Sequence, residues 1–252
     1  MTALIAFANQ KGGVAKTTSV HSIGDALVEM GRSVLLVDLD PQACLTYATG
    51  LDPDGLDITL HDVFTGRADA KEVVLERDDR PAILPSSIDL AGAEVHLLTK
   101  TGREFVLARA LQPLVGSYDY VLIDCGPSLG ILTINGLTAA EWVVIPFQCD
   151  TLSHRGVGQL LETVGDVRSF TNEDLAVLGG VATMYDGRTR LAQQVLEDVE
   201  AVHGLTVLEP PIPKSVRVAE APGRGRSVLE HASSSKPAVA YRELARTIER
   251  TI

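Results

Sequence analysis

The sequence predicts a single doubly wound α/β domain over residues 1–252, a mostly parallel sheet with helices on both faces. Three observations carry this expectation. Short apolar runs alternate with glycine-bearing loops and with stretches whose apolar residues recur at helical spacing. The runs are apolar almost throughout instead of alternating, as strands covered on both faces are. Two of them end in carboxylates followed by a turn, the pattern of strand C-termini that open onto a shared cleft.

In chain order, Ala3–Phe7 is the first strand and feeds the loop Asn9-Gln10-Lys11-Gly12-Gly13. From Lys16 to Met30, the residues Val20, Ile23, Leu27 and Met30 fall on one stripe, so a helix is expected there, closed by Gly31. Ser33–Leu39 follows as the second strand. Asp52–Arg80 is acidic and weakly patterned, which predicts loop with short helices. Tyr118–Asp124, Trp142–Pro146 and Ala176–Ala182 read as further strands. Three amphipathic helical faces are expected: Val157, Leu160, Leu161, Val164 and Val167; Leu191, Val195, Val199 and Val202; and Tyr241, Leu244, Ala245 and Ile248. Glu209–Pro213 and Ser233–Pro237 are too short to be anything but connectors within a domain, and no internal repeat is present.

With 252 residues, 45% of them hydrophobic, the chain can bury a full core. It contains no apolar run of about 18 residues, and Met1–Phe7 lacks the basic start and cleavage site of a signal peptide, so a cytoplasmic protein with no membrane partner is expected. Cys44, Cys125 and Cys149 form no CxxC pair, which argues against a disulfide frame or a zinc site and for buried small hydrophobes. The six histidines are dispersed and read as surface or packing residues. A net charge of −11 opposes a polyanion partner for the molecule as a whole. The charge is uneven, however: residues 1–187 carry 12 basic and 25 acidic side chains, whereas 188–252 carry 10 and 8. The last quarter is where an anionic surface could dock.

A phosphate site needs backbone N–H groups aimed at one point, a lysine to neutralise charge, and a hydroxyl for magnesium at the following helix start. Gly12-Gly13-Val14-Ala15-Lys16-Thr17-Thr18, set between a strand and a helix, supplies each part. The strict pattern G-x-x-x-x-G-K-[ST] is broken at Gln10 and Ala15, which occupy its two glycine positions. The strand ends Asp38-Leu39-Asp40 and Asp124 strengthen the reading, because carboxylates there stand beside the loop after the first strand, where a magnesium ion and an attacking water would lie. The plain alternative is that these acids only cap turns or helices.

These segments, together with Tyr118–Asn135, Thr183–Thr189 and Val216–Pro222, resemble the ParA/MinD family of deviant Walker-type ATPases, and its ParA branch most closely. The resemblance spans nearly the whole chain in the family's order. It implies a homodimer formed with ATP and Mg²⁺, in which Lys11 crosses to the phosphates of the other subunit while Lys16 and Thr17 hold the phosphates and metal of their own. It implies further that Asp40 orients the attacking water, that Asp124 stands on the metal side with Asp38 as nearby support, and that Pro213 and Ser215 line the adenine. A ParB-like activator and non-specific DNA are the implied partners, with Arg188 and Arg217 matching the family's DNA-contacting residues and a nucleoid-associated location following from them. Lys214, Arg224 and Arg226 lie in the same basic stretch. Without interleaved aromatics, contact would be to phosphates and not to stacked bases, the plain alternative being solvated charges.

The departures set further expectations. Ala15 adds a methyl where backbone approaches phosphate; an ordinary φ tolerates it and a positive φ does not, so hydrolysis would be slow. Gly126 stands where the family usually has proline, and Asp150–Gly156 differs from its usual acidic-aromatic segment, with Arg155 at a common glutamate position. The competing readings are a MinD-type membrane-cycling or other cargo-positioning ATPase, an iron–sulfur reductase of the same superfamily, and a nucleotide switch that scarcely hydrolyses. The last helix is a poor membrane anchor, having a thin apolar face without Phe or Trp. Cys125 lacks the context of a cluster ligand. Which cargo would be positioned is not written in the residues.

Overall fold

The computed structural model describes residues 2–150 and 153–252. Six strands, β1 (Ala3–Phe7), β2 (Val34–Leu39), β3 (Ala82–Leu84), β4 (Tyr120–Cys125), β5 (Trp142–Gln148) and β6 (Ala176–Thr183), form one sheet in the order β3-β2-β4-β1-β5-β6. Every pairing between them is parallel. Five of the six lie where the apolar runs predict them; β3 is not anticipated.

Because successive side chains of a strand point to opposite faces, each strand contributes to two cores. Ile5, Phe7, Leu36, Leu122 and Val144 pack on one face against Val20, Ile23 and Leu27 of helix α1 (Lys16–Glu29) and against Tyr241, Leu244 and Ile248 of the terminal helix Lys236–Thr251. Leu4, Ala6, Leu35, Val121, Ile123 and Val143 pack on the other, against Leu132 and Leu137 of the helix Ile131–Ala139, Val157, Leu160 and Val164 of the helix Ser153–Phe170, and Val195 and Val199 of the helix Arg190–His203. Two expectations are corrected here. Leu191 and Val202 lie off the buried stripe, 47% and 68% exposed, with Ala192 taking the inward position. Cys44 is exposed, so only Cys125 is the buried small hydrophobe expected of all three cysteines.

The loops after β1 and β4, adjacent strands, lead into helices on opposite faces, and the crevice between them is where ligands settle in open α/β sheets. The register sets Phe7 opposite Asp124 and Asp124 opposite Asp38, so the acids predicted at strand ends stand side by side.

Candidate functional site

The loop between β1 and α1 wraps the mouth of this crevice. Its last residue before the helix, Ala15, has φ 60° and ψ 35°, the left-handed conformation. This is the positive φ under which the methyl is not tolerated freely, at about 1 kcal/mol relative to glycine. The neighbours hold the loop in place. Thr183 Oγ1 donates to the Val14 carbonyl at 3.0 Å and to the Phe147 carbonyl at 3.1 Å, tying the loop to β5 and β6. The buried Asn9 side chain accepts from the Lys11 N–H at 2.9 Å and donates to the Pro146 carbonyl at 2.8 Å.

Lys16 is buried in the first turn of α1, and its ammonium donates to the Lys11 carbonyl at 3.2 Å. Burial pushes its pKa down, opposed by the negative charge of Asp124 and Asp40. Asp124 is 1% exposed, and the Thr17 hydroxyl approaches its carboxylate without completing a hydrogen bond, so both oxygens lack a protein partner. Burial first, then the adjacent Asp38, drives its pKa well above the ordinary carboxylate value, against the pull of Thr17 and Lys16. A buried carboxylate left in this condition calls for a cation. With a hydroxyl and a carboxylate as hard oxygen donors, the site fits Mg²⁺.

Asp38 differs. Its Oδ2 accepts from the Thr46 N–H at 2.8 Å and the Thr46 hydroxyl at 2.7 Å, and its Oδ1 from the Asp40 N–H at 3.3 Å. These bonds oppose the burial that raises its pKa to about 6. Asp38 therefore anchors the short helix α2 (Cys44–Ala48). Thr46 Oγ1 in turn accepts from the Ser86 N–H at 2.9 Å, and Ser86 Oγ donates to the Asp40 carbonyl at 3.0 Å, closing a ring around the Asp40 loop. The Asp40 carboxylate accepts from the Gln42 N–H at 2.9 Å, and Gly126 lies so close that a Cβ there would sit 3.4 Å from it.

A cavity of about 1010 Å³ is bounded by Gly12, Gly13, Ala15, Lys16, Thr17, Thr18, Asp40, Pro213 and Ser215. Val14 is buried behind the loop, and Asp38 and Asp124 stand in the strands beneath. Lys11 is turned to Asp150, with which it forms an ion pair within the chain. Thr151 and Leu152, in the divergent segment Asp150–Gly156, lie outside the described residues; Arg155 is exposed. Arg188 and Arg217 are carried on adjoining segments, since Tyr185 pairs with Pro213 across a bridge. Each has a carboxylate neighbour: Asp186 binds Arg188 through two bonds of 2.9 and 2.8 Å, and Glu220 meets Arg217 at 3.3 Å. At one edge of the cavity Gly50, just past α2, meets Gly225 backbone to backbone; a Cβ on Gly225 would lie 2.6 Å from the Gly50 Cα.

Residues 2–177 match the model of an AAA domain. Over 249 residues the chain is 40% identical to the sporulation initiation inhibitor protein Soj of Bacillus subtilis, covering 98% of each, and 40% identical to the chromosome partitioning protein ParA of Caulobacter vibrioides, covering 97% of this chain and 93% of that one. The chain belongs to the ParA/Soj family. Among solved structures, the ParA-family fold seen here is matched by cobyrinic acid a,c-diamide synthase from Mycobacterium smegmatis with bound ADP and magnesium, at TM-score 0.89 and 51% identity over 99% of this chain and 95% of that one. Among the described residues, no helix of this ParA relative is long and apolar enough to cross a membrane. Asn9, Thr46, Ser86 and Thr183 are the positioning residues that the sequence does not announce. Their partners come from distant strands and loops, which the parallel sheet brings within reach.

Proposed function

We propose that this chain, one domain throughout, is a partitioning ATPase: it binds ATP with Mg²⁺, dimerises on doing so, binds DNA through phosphate contacts, and positions a chromosome, plasmid or other cargo. The observation that carries this reading is the fully buried Asp124, with no completed hydrogen bond to either oxygen, beside Lys16 and Thr17 at the start of α1. Thr17 and Asp124 would hold the metal, with Asp38 supporting the strand end; when bound, magnesium supplies charge neutralisation across the phosphates. Lys16 neutralises the phosphates from within, exchanging its bond to the Lys11 carbonyl for one to the substrate. Asp40, fixed by the Gln42 N–H and the Ser86 ring, orients the attacking water. Pro213 and Ser215 line the base. Lys11 must leave Asp150 before it can reach across to a second subunit, which makes hydrolysis depend on assembly. The strained Ala15 and the need for a ParB-like activator both favour a slow basal rate.

A nucleotide titration tests the site: Lys16→Ala abolishes ATP binding, and Asp40→Ala keeps binding but blocks hydrolysis. Wild-type affinity in Lys16→Ala would overturn the assignment. Light scattering tests the dimer, expected with ATP, absent with ADP, and lost in Lys11→Ala.

The likeness to a diamide synthase suggests a second reading, ATP-dependent amide formation. Release of ammonia from glutamine would need an activated cysteine. Here all three thiols have raised pKa, through partial or full desolvation together with the negative charge of Asp40 beside Cys44, Asp124 beside Cys125 and Asp150 beside Cys149. ATP-dependent conversion of cobyrinic acid to its a,c-diamide by this chain, with glutamine or ammonia supplied, would favour that reading over partitioning.

A further inference from the structure

Beside the nucleotide crevice, which His21 also lines, a small cavity of about 270 Å³ opens between α1, the turn at Asp79-Arg80 and the short helix Val228–His231. Four carboxylates line it, Asp25, Glu29, Asp79 and Glu230, against one arginine, Arg80. Asp25 is 8% exposed and its Oδ2 makes no hydrogen bond. That oxygen faces His21 Nε2 at 3.9 Å, and a carboxylate oxygen of Glu230 completes three ligand atoms that all lie within 4.8 Å of one another. His21 and Asp25 are four apart on α1, the spacing at which two side chains of one helix face a single ion.

A buried carboxylate oxygen without a partner is costly, and only a proton or a nearby positive charge offsets it. Neither nearby arginine donates to it: Arg80 pairs with Glu230 at 2.7 Å, and Arg77 gives Nη2 to the Thr49 carbonyl at 2.8 Å while its buried Nη1 makes no hydrogen bond. His21 does not satisfy it either: the imidazole is 4% exposed and its Nε2 stands 3.9 Å from the oxygen, beyond hydrogen-bond reach.

We infer that His21, Asp25 and Glu230 form a second metal site, for a divalent cation of the zinc class. One imidazole and two carboxylates suit zinc, whereas magnesium prefers an all-oxygen shell. The acidic lining draws a cation in and offsets the repulsion of Arg77 and Arg80. The ion ties α1, whose first turn carries Thr17, to the segment that begins at Ser227 and Val228, both of which bound the nucleotide cavity. Its occupancy therefore stiffens one wall of that cavity.

The test uses the metal-stripped, untagged full chain, saturated with Mg·ADP so that the phosphate site is filled. Zn²⁺ is titrated in by calorimetry and Co²⁺ by visible absorption. One equivalent of zinc per chain is expected, together with a cobalt spectrum showing nitrogen and oxygen ligands. Asp25→Asn and Glu230→Gln should each weaken binding by about tenfold or more. Zinc should also raise the melting temperature of wild type and not of the variants. No uptake in the presence of Mg·ADP, or uptake equal in wild type and both variants, would overturn the site. Should Asp25→Asn fold poorly, Glu230→Gln decides alone, because it lies at the surface and glutamine still caps its helix.

Discussion

At the scale of single residues, Ala15 and Asp25 each carry a measurable cost. Ala15 sits at φ 60°, where its methyl crowds the following carbonyl. Ala15→Gly should raise unfolding free energy in urea by about 1 kcal/mol, because the relief in the folded state outweighs the freedom that glycine adds to the unfolded chain. Burial raises the Asp25 pKa to about 7 from an ordinary 3.8, against a hydrogen bond from Ser227. The folded chain thus keeps a proton that the unfolded chain releases near pH 4, and between those two values stability falls as pH rises. Asp25→Asn removes the ionisation. In the metal-stripped protein it should stabilise by roughly 2–4 kcal/mol at pH 8 and be near neutral at pH 3.5, measured by denaturant titration at each pH. A pH-independent difference would show that ionisation is not the cause.

At the scale of elements, α2 is too short to hold itself and depends on the Asp38–Thr46–Ser86 ring. Thr46→Val keeps the shape but removes the hydroxyl that donates to Asp38 and accepts from Ser86. The expected loss is about 2–3 kcal/mol, with ATP still bound and hydrolysis reduced as Asp40 loses its frame. Thermal unfolding and a phosphate-release assay check the two halves separately. The same ring shows why some of the structure is legible in sequence and some is not. Five strands announce themselves as apolar runs, whereas β3 is three residues held between Pro81 and Pro85 and leaves no pattern. The helix Ile131–Ala139 is buried on most of its surface, so no amphipathic stripe marks it. The loop and the strand-end acids are legible because their chemistry is local. Asn9 and Thr183 are not, since their partners Pro146 and Val14 lie 137 and 169 residues away. Leu191 and Val202 mislead for a related reason: apolar spacing alone does not say which side of a helix the sheet will cover.

At the scale of the whole molecule, a chain of net charge −11 can meet DNA only through its last quarter. Arg188 and Arg217 are exposed; Asp186 holds Arg188 in a two-bond pair and Glu220 meets Arg217 through a single contact at 3.3 Å, so Arg217 is the more readily exchanged for phosphate. Binding to unrelated duplexes of equal length should appear with ATP, fade steeply with salt, and lose about one phosphate contact per subunit from its salt dependence in Arg188→Glu or Arg217→Glu. No binding in any nucleotide state would sink the DNA reading. The contact of Gly50 with Gly225 bears on how such a nucleotide dependence could be mechanically enforced. Bare backbone meets bare backbone there, with no side chain between them to act as a cushion. The end of α2, into which the Asp40 loop runs, and the turn that bears Arg224 and Arg226 therefore meet with no room for a side chain at either glycine.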